Sequence, residues 1–206
     1  MLDQVGWGRG TRVAREAPVP VVEFERESYM PGGAANVARN LADLRTSCAL
    51  FGAIGQDDAG RKLKRLLAHQ KIGCAGLVSS QARQTTIKSR IVAHQQQMVR
   101  VDRESRGNID EKVSRRLLAV LESELAQADA LIVGDYGKGV VTQPLLDTVK
   151  RLCRERGVWL GLDPRPVTQL GLTGLSLTHP RKQAAFECGV LQESQHRSET
   201  VQKHHA

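Results

Sequence analysis

Residues 130–163, ALIVGDYGKGVVTQPLLDTVKRLCRERGVWLGLD, decide the fold. Two short apolar runs, ALIVG and VWLGL, flank one amphipathic stretch from about Gln143 to Arg156. Apolar runs without alternation are strands buried on both faces, and a single helix between them returns the second strand parallel to the first. The unit is therefore strand-helix-strand in a sheet covered by helices, and the class is α/β. The same alternation recurs toward the N-terminus. Cys48 to Ile54 reads as a short buried strand. Asp57 and Asp58 open a helix through RKLKRLLAH that ends near Gly73, with acids at its first turn and bases later, as the helix dipole favours. Asp110 begins a long amphipathic helix, EKVSRRLLAVLESELAQ. After Pro31-Gly32-Gly33, AANVARNLADL is a helix that packs through Ala35, Val37, Ala38 and Leu41.

Two regions depart from that pattern. APVPVVEFE (17–25) is a strand entered through prolines, which suits a sheet edge. TIKSRIV (86–92) and QMVRV (97–101) are β-like runs separated by AHQQ, a hairpin. The opening residues, MLDQVGWGRG, read as irregular, and GWGRG as a glycine cluster with no strand before it. Beyond Gly189 the chain turns polar and aperiodic, so 189–206 is expected to be a disordered tail.

Composition narrows the function. A chain of 206 residues with 40% hydrophobic residues holds one domain, or one and a small appendage. No apolar stretch approaches the ~20 residues that cross a bilayer, and no secretory pattern opens the chain. Cys48, Cys74, Cys153 and Cys188 lack metal or disulfide spacing, which suits reduced thiols and a cytoplasmic location. The net charge of +8 is unevenly spread: residues 51–100 alone carry +7. Such a patch could attract nucleic acid, an anionic lipid surface or a phosphorylated small molecule. With aromatics at 3% and no nucleic-acid-binding motif, nucleic acid is the weakest of these. Walker, zincin and nucleophile-elbow motifs are missing too.

In an open parallel sheet, ligands bind beyond the carboxyl ends of the strands. Asp57, Asp135 and Asp163 lie at such ends, and Gly32-Gly33 opens a helix whose amides could receive hydroxyls or an anion. Each has a plainer reading, as a helix cap or a chain turn. Alternation puts Lys88 and Arg90 on one face of the hairpin, which fits a shared anion and fits a solvated sheet edge equally well. Together these features favour a polyol-phosphate site.

REAPVPVVEFE, PGGAANVARNLADL and GAIGQDDAGRKLKRLL resemble the ribokinase-like (PfkB) sugar kinases. TTIKSRIVAHQQQMVRVD, GDYGKG and LDPRP are most similar to the kinase domain of D-glycero-β-D-manno-heptose 7-phosphate kinases, which make ADP-heptose precursors for lipopolysaccharide. The resemblance implies a mostly parallel sheet between helices with a small β-lid that often makes a homodimer. It places a partial kinase domain at 1–188, with lid segments near 12–27 and 85–102. It also implies that Asp3, Gly32, Gly33 and Asn36 hold sugar hydroxyls, and that Lys88, Gln97 and Arg100 approach the sugar phosphate. Asp135 and Lys138 would line the floor, and Asp163 and Arg165 would belong to the nucleotide side. The implied reaction is ATP-dependent phosphorylation of the anomeric hydroxyl, with an Asp base and Mg²⁺.

The departures from the pattern concern the donor half. The family's strand ending in Gly-Asp is expected just before Met1, and the late Gly-x-Gly-Asp motif, with its general base and anion hole, has no counterpart before Ala206. LTHPRKQAAFE offers Pro180 and Gln183 where the family has Asn-x-x-Glu, and Arg165 stands where the nearest relatives carry Lys. The sequence therefore implies no catalytic base and no metal ligand in this chain. It leaves open an inactive, sugar-phosphate-binding or dimerising remnant.

Overall fold

A computed structural model describes residues 1–165, 168 and 170–179. They divide into two units, each described by itself. The first holds Met1–Ala126 with Lys138–Val140; the second holds Gln127–Gly137 and the described residues from Val141 onward.

The first unit is built around a four-stranded sheet of order β2-β1-β5-β6, with β1 at Leu2–Val13, β2 at Pro20–Pro31, β5 at Ile87–Ala93 and β6 at Gln96–Arg103. β1 runs antiparallel to β2 and parallel to β5, and β5 runs antiparallel to β6. Two expectations are corrected here. The N-terminus is not irregular but a twelve-residue strand, and GWGRG lies within it. The sheet accordingly extends beyond 12–27 and 85–102, because β1 is one of its two inner strands. Glycines at 6, 8 and 10 share one face and removed the apolar alternation that marks a strand. That face is filled from the neighbours: a Cβ on Gly6 would lie 3.2 Å from Phe24 and 3.3 Å from Ile91. The proline-entered strand is an edge, as its composition requires. His94 and Gln95 turn the β5–β6 hairpin at φ 51° and 63°, the left-handed pair that a two-residue hairpin loop needs.

A second, two-stranded parallel sheet pairs β3 (Gly52–Gly55) with β4 (Leu77–Ser80) through α2 (Asp58–His69). The expected strand from Cys48 is shorter than the apolar run, with only an isolated bridge at Ala49 preceding it. α1 (Ala34–Asp43) buries Ala35 and Ala38, whereas Val37, expected to pack, is 41% exposed. Leu2, Ala35, Ala38, Ile54, Leu63 and Leu67 form one core, which ties the sheet start to both helices. α3 (Glu111–Glu124), capped by Asp110, packs against β4 and buries Val113, Leu117 and Leu121.

The second unit is the strand-helix-strand read from the sequence. β7 (Ala130–Gly134) and β8 (Trp159–Asp163) are parallel and joined by α4 (Gln143–Arg156), and a short β9 (Leu177–Thr178) extends the sheet in parallel. Thr142 caps α4 at its start, and Gly157 at φ 68° ends it. Val141, Leu146, Leu162 and Leu170 form its core. Pro180, Gln183 and the tail at 189–206 lie outside the described residues.

Candidate functional site

Strand register gathers the lid's charges on one face. Asp3 stands opposite Lys88 across β1–β5, Lys88 opposite Asp102 and Arg90 opposite Arg100 across β5–β6. Side chains alternate along a strand, so all five share a face with Gln97, which lies opposite Val92 on the exposed edge strand. Asp3 Oδ1 accepts from Arg90 Nη1 at 2.6 Å. Lys88 Nζ donates to Asp102 Oδ2 at 2.8 Å, and Arg100 Nε lies 3.0 Å from Asp102 Oδ1.

The start of α1 meets this face at Asp3. Gly32 N donates to the Met1 carbonyl at 3.1 Å, and a Cβ on Gly32 would overlap the Asp3 carboxylate. Only glycine permits that approach. Gly33, at φ 59° and ψ −132°, is the N-cap of α1, where it provides no side-chain hydrogen bond. Asn36 follows one turn later, half-buried. Asp3, Gly32, Gly33 and Asn36 are thus brought to one corner, with Arg90 reaching it from β5.

Lys138 belongs to this unit as well, ion-paired to Glu104 just beyond β6, while Arg83 Nη2 donates to the Lys138 carbonyl at 2.8 Å. Each of Lys88, Arg90, Arg100 and Lys138 therefore faces a carboxylate. The hydrogen bond from Lys88, reinforced by Arg100, holds the Asp102 carboxyl below its ordinary range. That from Lys138 does the same for Glu104. The concentrated positive charge of residues 51–100 is, on this face, largely neutralised by acids from 1–50 and 101–150.

In the second unit, β7 and β8 end at Asp135 and Asp163, and Asp135 N donates to the Asp163 carbonyl at 3.0 Å. Asp135 is 4% exposed; its Oδ1 accepts from Gly137 N at 2.8 Å, and its Oδ2 is buried with no hydrogen-bond partner among the described residues. Arg165 lies nearby, its Cδ 3.6 Å from where a Gly137 Cβ would be. Asp135, Asp163 and Arg165 are thus brought together.

Asp57, the third strand-end acid, is a structural group. Its Oδ1 accepts from Gly60 N and its Oδ2 from Thr85 N, both at 2.8 Å, while Thr85 Oγ1 accepts from Gly55 N at 2.9 Å. This clamp ties the end of β3 and the start of α2 to the residues that enter β5. Burial pushes the Asp57 carboxyl up, but hydrogen bonds from Thr85 and Gly60 outweigh it and hold the carboxyl low. Among the described residues no three His, Cys, Asp or Glu side chains gather in a way that would hold a metal ion.

Sequence reasoning assigned roles to neither Asp102 nor Glu104, and it set Arg90 beside Lys88 as an anion-binding candidate without pairing it to Asp3. The signal for Asp102 was present: in a two-residue hairpin turning at His94-Gln95, position 102 falls near Lys88. Reading it required the register, which a bulge between Ile91 and Val92 shifts by one residue.

Comparisons with known proteins bear on family and fold. The family model "pfkB family carbohydrate kinase" matches residues 10–206. The "Bifunctional protein HldE" of Wolinella succinogenes is 37% identical over 187 residues, covering 91% of this chain and 40% of that protein. The protein of the same name from Caulobacter vibrioides is 39% identical over 200 residues, covering 97% of this chain and 41% of that protein. The chain thus spans about two fifths of the length of these curated relatives. Among solved structures, the tetrameric inhibited form of phosphofructokinase-2 from Escherichia coli superposes with a TM-score of 0.66 at 17% identity. That match covers 94% of this chain and 62% of that one. A carbohydrate kinase from Agrobacterium tumefaciens gives 0.68 at 16%, covering 93% and 61%. The structural likeness establishes a ribokinase-like α/β fold, and the sequence likeness goes further: the chain belongs to the pfkB family of carbohydrate kinases.

Proposed function

We propose that this chain is the sugar-binding part of a heptose kinase, one that accepts D-glycero-β-D-manno-heptose 7-phosphate in the synthesis of ADP-heptose for lipopolysaccharide. The observation that carries the reading is the corner at Asp3. A carboxylate lies against the glycine pair that opens α1, and Arg90, Lys88 and Arg100 follow outward on the same lid face. Carboxylate, helix-start amides and the Asn36 amide suit a row of hydroxyls, and the cations farther out suit a phosphate at the distal carbon. Gln97 and Lys138 complete the proposed sugar side within the first unit; in the second unit, taken by itself, Asp135 is assigned to the sugar by family motif. Asp163 and Arg165 are assigned to the nucleotide.

The family's phosphoryl donor is ATP with a divalent metal. The described residues hold no cluster fit for the metal, and residues 1–206 contain no Gly-x-Gly-Asp to supply base and anion hole. Residues 1–206 by themselves are therefore expected to bind the sugar phosphate without turning it over. Loss of one oxyanion-type donor alone removes roughly 10²–10³ in rate. In the intact lid, the side opposite the charged face exposes Phe24, Val99 and Val101, which supports a homodimer formed through the lid.

Titration calorimetry with heptose 7-phosphate tests the reading. Weak binding is expected, and Lys88→Ala should reduce it by about 1.5–3 kcal/mol, the range for a hydrogen bond to a charged group. Equal affinities for the two proteins, or product formed from ATP at an ordinary kinase rate, would refute this assignment.

A further inference from the structure

Asp102 occupies the place in the lid that an anion would take. Its two carboxylate oxygens hold the two cations assigned above to the sugar phosphate: Oδ2 takes Lys88 Nζ at 2.8 Å, and Oδ1 faces Arg100 Nε at 3.0 Å. Lys88 and Asp102 are directly paired across the hairpin, with side chains 21% and 27% exposed. These charges are neither fully hydrated nor fully buried, so each retains a real preference for its partner. Next along the ladder Arg90 faces Arg100, a like-charged pair that is unfavourable when left alone. Asp3 draws Arg90 inward and Asp102 draws Arg100 outward, so the two acids hold the two guanidinium groups apart.

We propose that Asp102 is a built-in competitor for the ligand's phosphate. It holds Lys88 and Arg100, and a phosphate monoester must displace it to reach them. The carboxylate lowers affinity for the correct ligand and at the same time keeps the lid from trapping small anions at large. Selectivity then comes from the sugar: only a ligand whose hydroxyls also engage the Asp3–Gly32 corner gains enough to replace Asp102. This deepens the sugar-phosphate reading and rests on it.

The sign of one mutational effect decides the matter. Asp102→Asn keeps the shape on an edge strand that is exposed along its whole length and removes the competing charge. In calorimetric titration it should bind heptose 7-phosphate about 5- to 20-fold more tightly, about 1–2 kcal/mol at 1.4 kcal/mol per decade. The unphosphorylated heptose should bind unchanged. Asp102→Ser, which also lacks the charge, should move in the same direction, and matching thermal melts would show that both variants fold. Unchanged or weaker binding of the phosphorylated sugar by Asp102→Asn would overturn the proposal, because Asp102 would then be orienting Lys88 or contacting sugar. Wild-type protein that takes up neither sugar would overturn the sugar-phosphate reading along with it. Wild-type binding without tightening in the variants removes the role of Asp102 alone.

Discussion

Replacing Asp57 with alanine should destabilise the first unit without touching the charged face. The carboxylate satisfies two amides at once, Gly60 N in the first turn of α2 and Thr85 N, whose residue is 1% exposed. Loss of an N-cap acceptor costs about 0.5–2 kcal/mol. Leaving a second, buried amide without an acceptor adds about 1–3 kcal/mol. Water has little room to substitute, since a Cβ on Gly60 would lie 2.6 Å from the Gly55 carbonyl oxygen. The combined loss is about 1.5–5 kcal/mol, which for a chain of this size lowers the melting temperature by about 3–20 °C. Asp57→Asn keeps one acceptor oxygen and should fall between. The charge contributes a pH signature. Because hydrogen bonds hold the folded carboxyl below its ordinary value, its contribution is complete above the unfolded pKa of about 4 and fades as pH falls through the folded value. Wild type and Asp57→Asn should therefore differ most near neutrality and converge in acid. Thermal melts of the three proteins across pH check this. An alanine variant that melts with the wild type, or a gap to the asparagine variant that persists unchanged into acid, would show that the clamp is not what holds α2 and the entry to β5 together.

Two further outcomes follow from single glycines. Gly32→Ala should abolish heptose 7-phosphate binding in calorimetry, because the new methyl must displace the Asp3 carboxylate from the α1 corner; crowding of this kind also costs about 1–3 kcal/mol in a denaturant titration. Gly157→Ala ends α4 with a left-handed alanine at φ 68°, where among the described residues nothing beyond its chain neighbours lies within 4 Å of the new methyl. The cost should be the backbone term alone, about 1–2 kcal/mol in the same titration.

The strand-helix-strand unit at 130–163 was legible because each of its elements is specified locally. β7 and β8 are continuous apolar runs, and α4 carries its own start and stop in Thr142, Pro144 and Gly157. The glycine pair before α1 and the acids that cap α2 and α3 are signals of the same local kind. β1 was not legible, since a strand with glycine at 6, 8 and 10 has no pattern of its own; its pattern is completed by Phe24 and Ile91 from other strands. The site divides in the same way. Residue types and family motifs named Asp3, Gly32, Gly33, Asn36, Lys88 and Arg100 as candidates. Which cation meets which acid was set by strand register, and the bulge at Ile91/Val92 and the pairing of Arg90 with Arg100 exist only once β5 and β6 are side by side. An ion pair between residues 87 positions apart, Asp3 with Arg90, leaves no trace in local sequence. Tertiary structure alone gave Lys88, Arg90 and Arg100, three cations of a stretch of net charge +7, an acidic partner each.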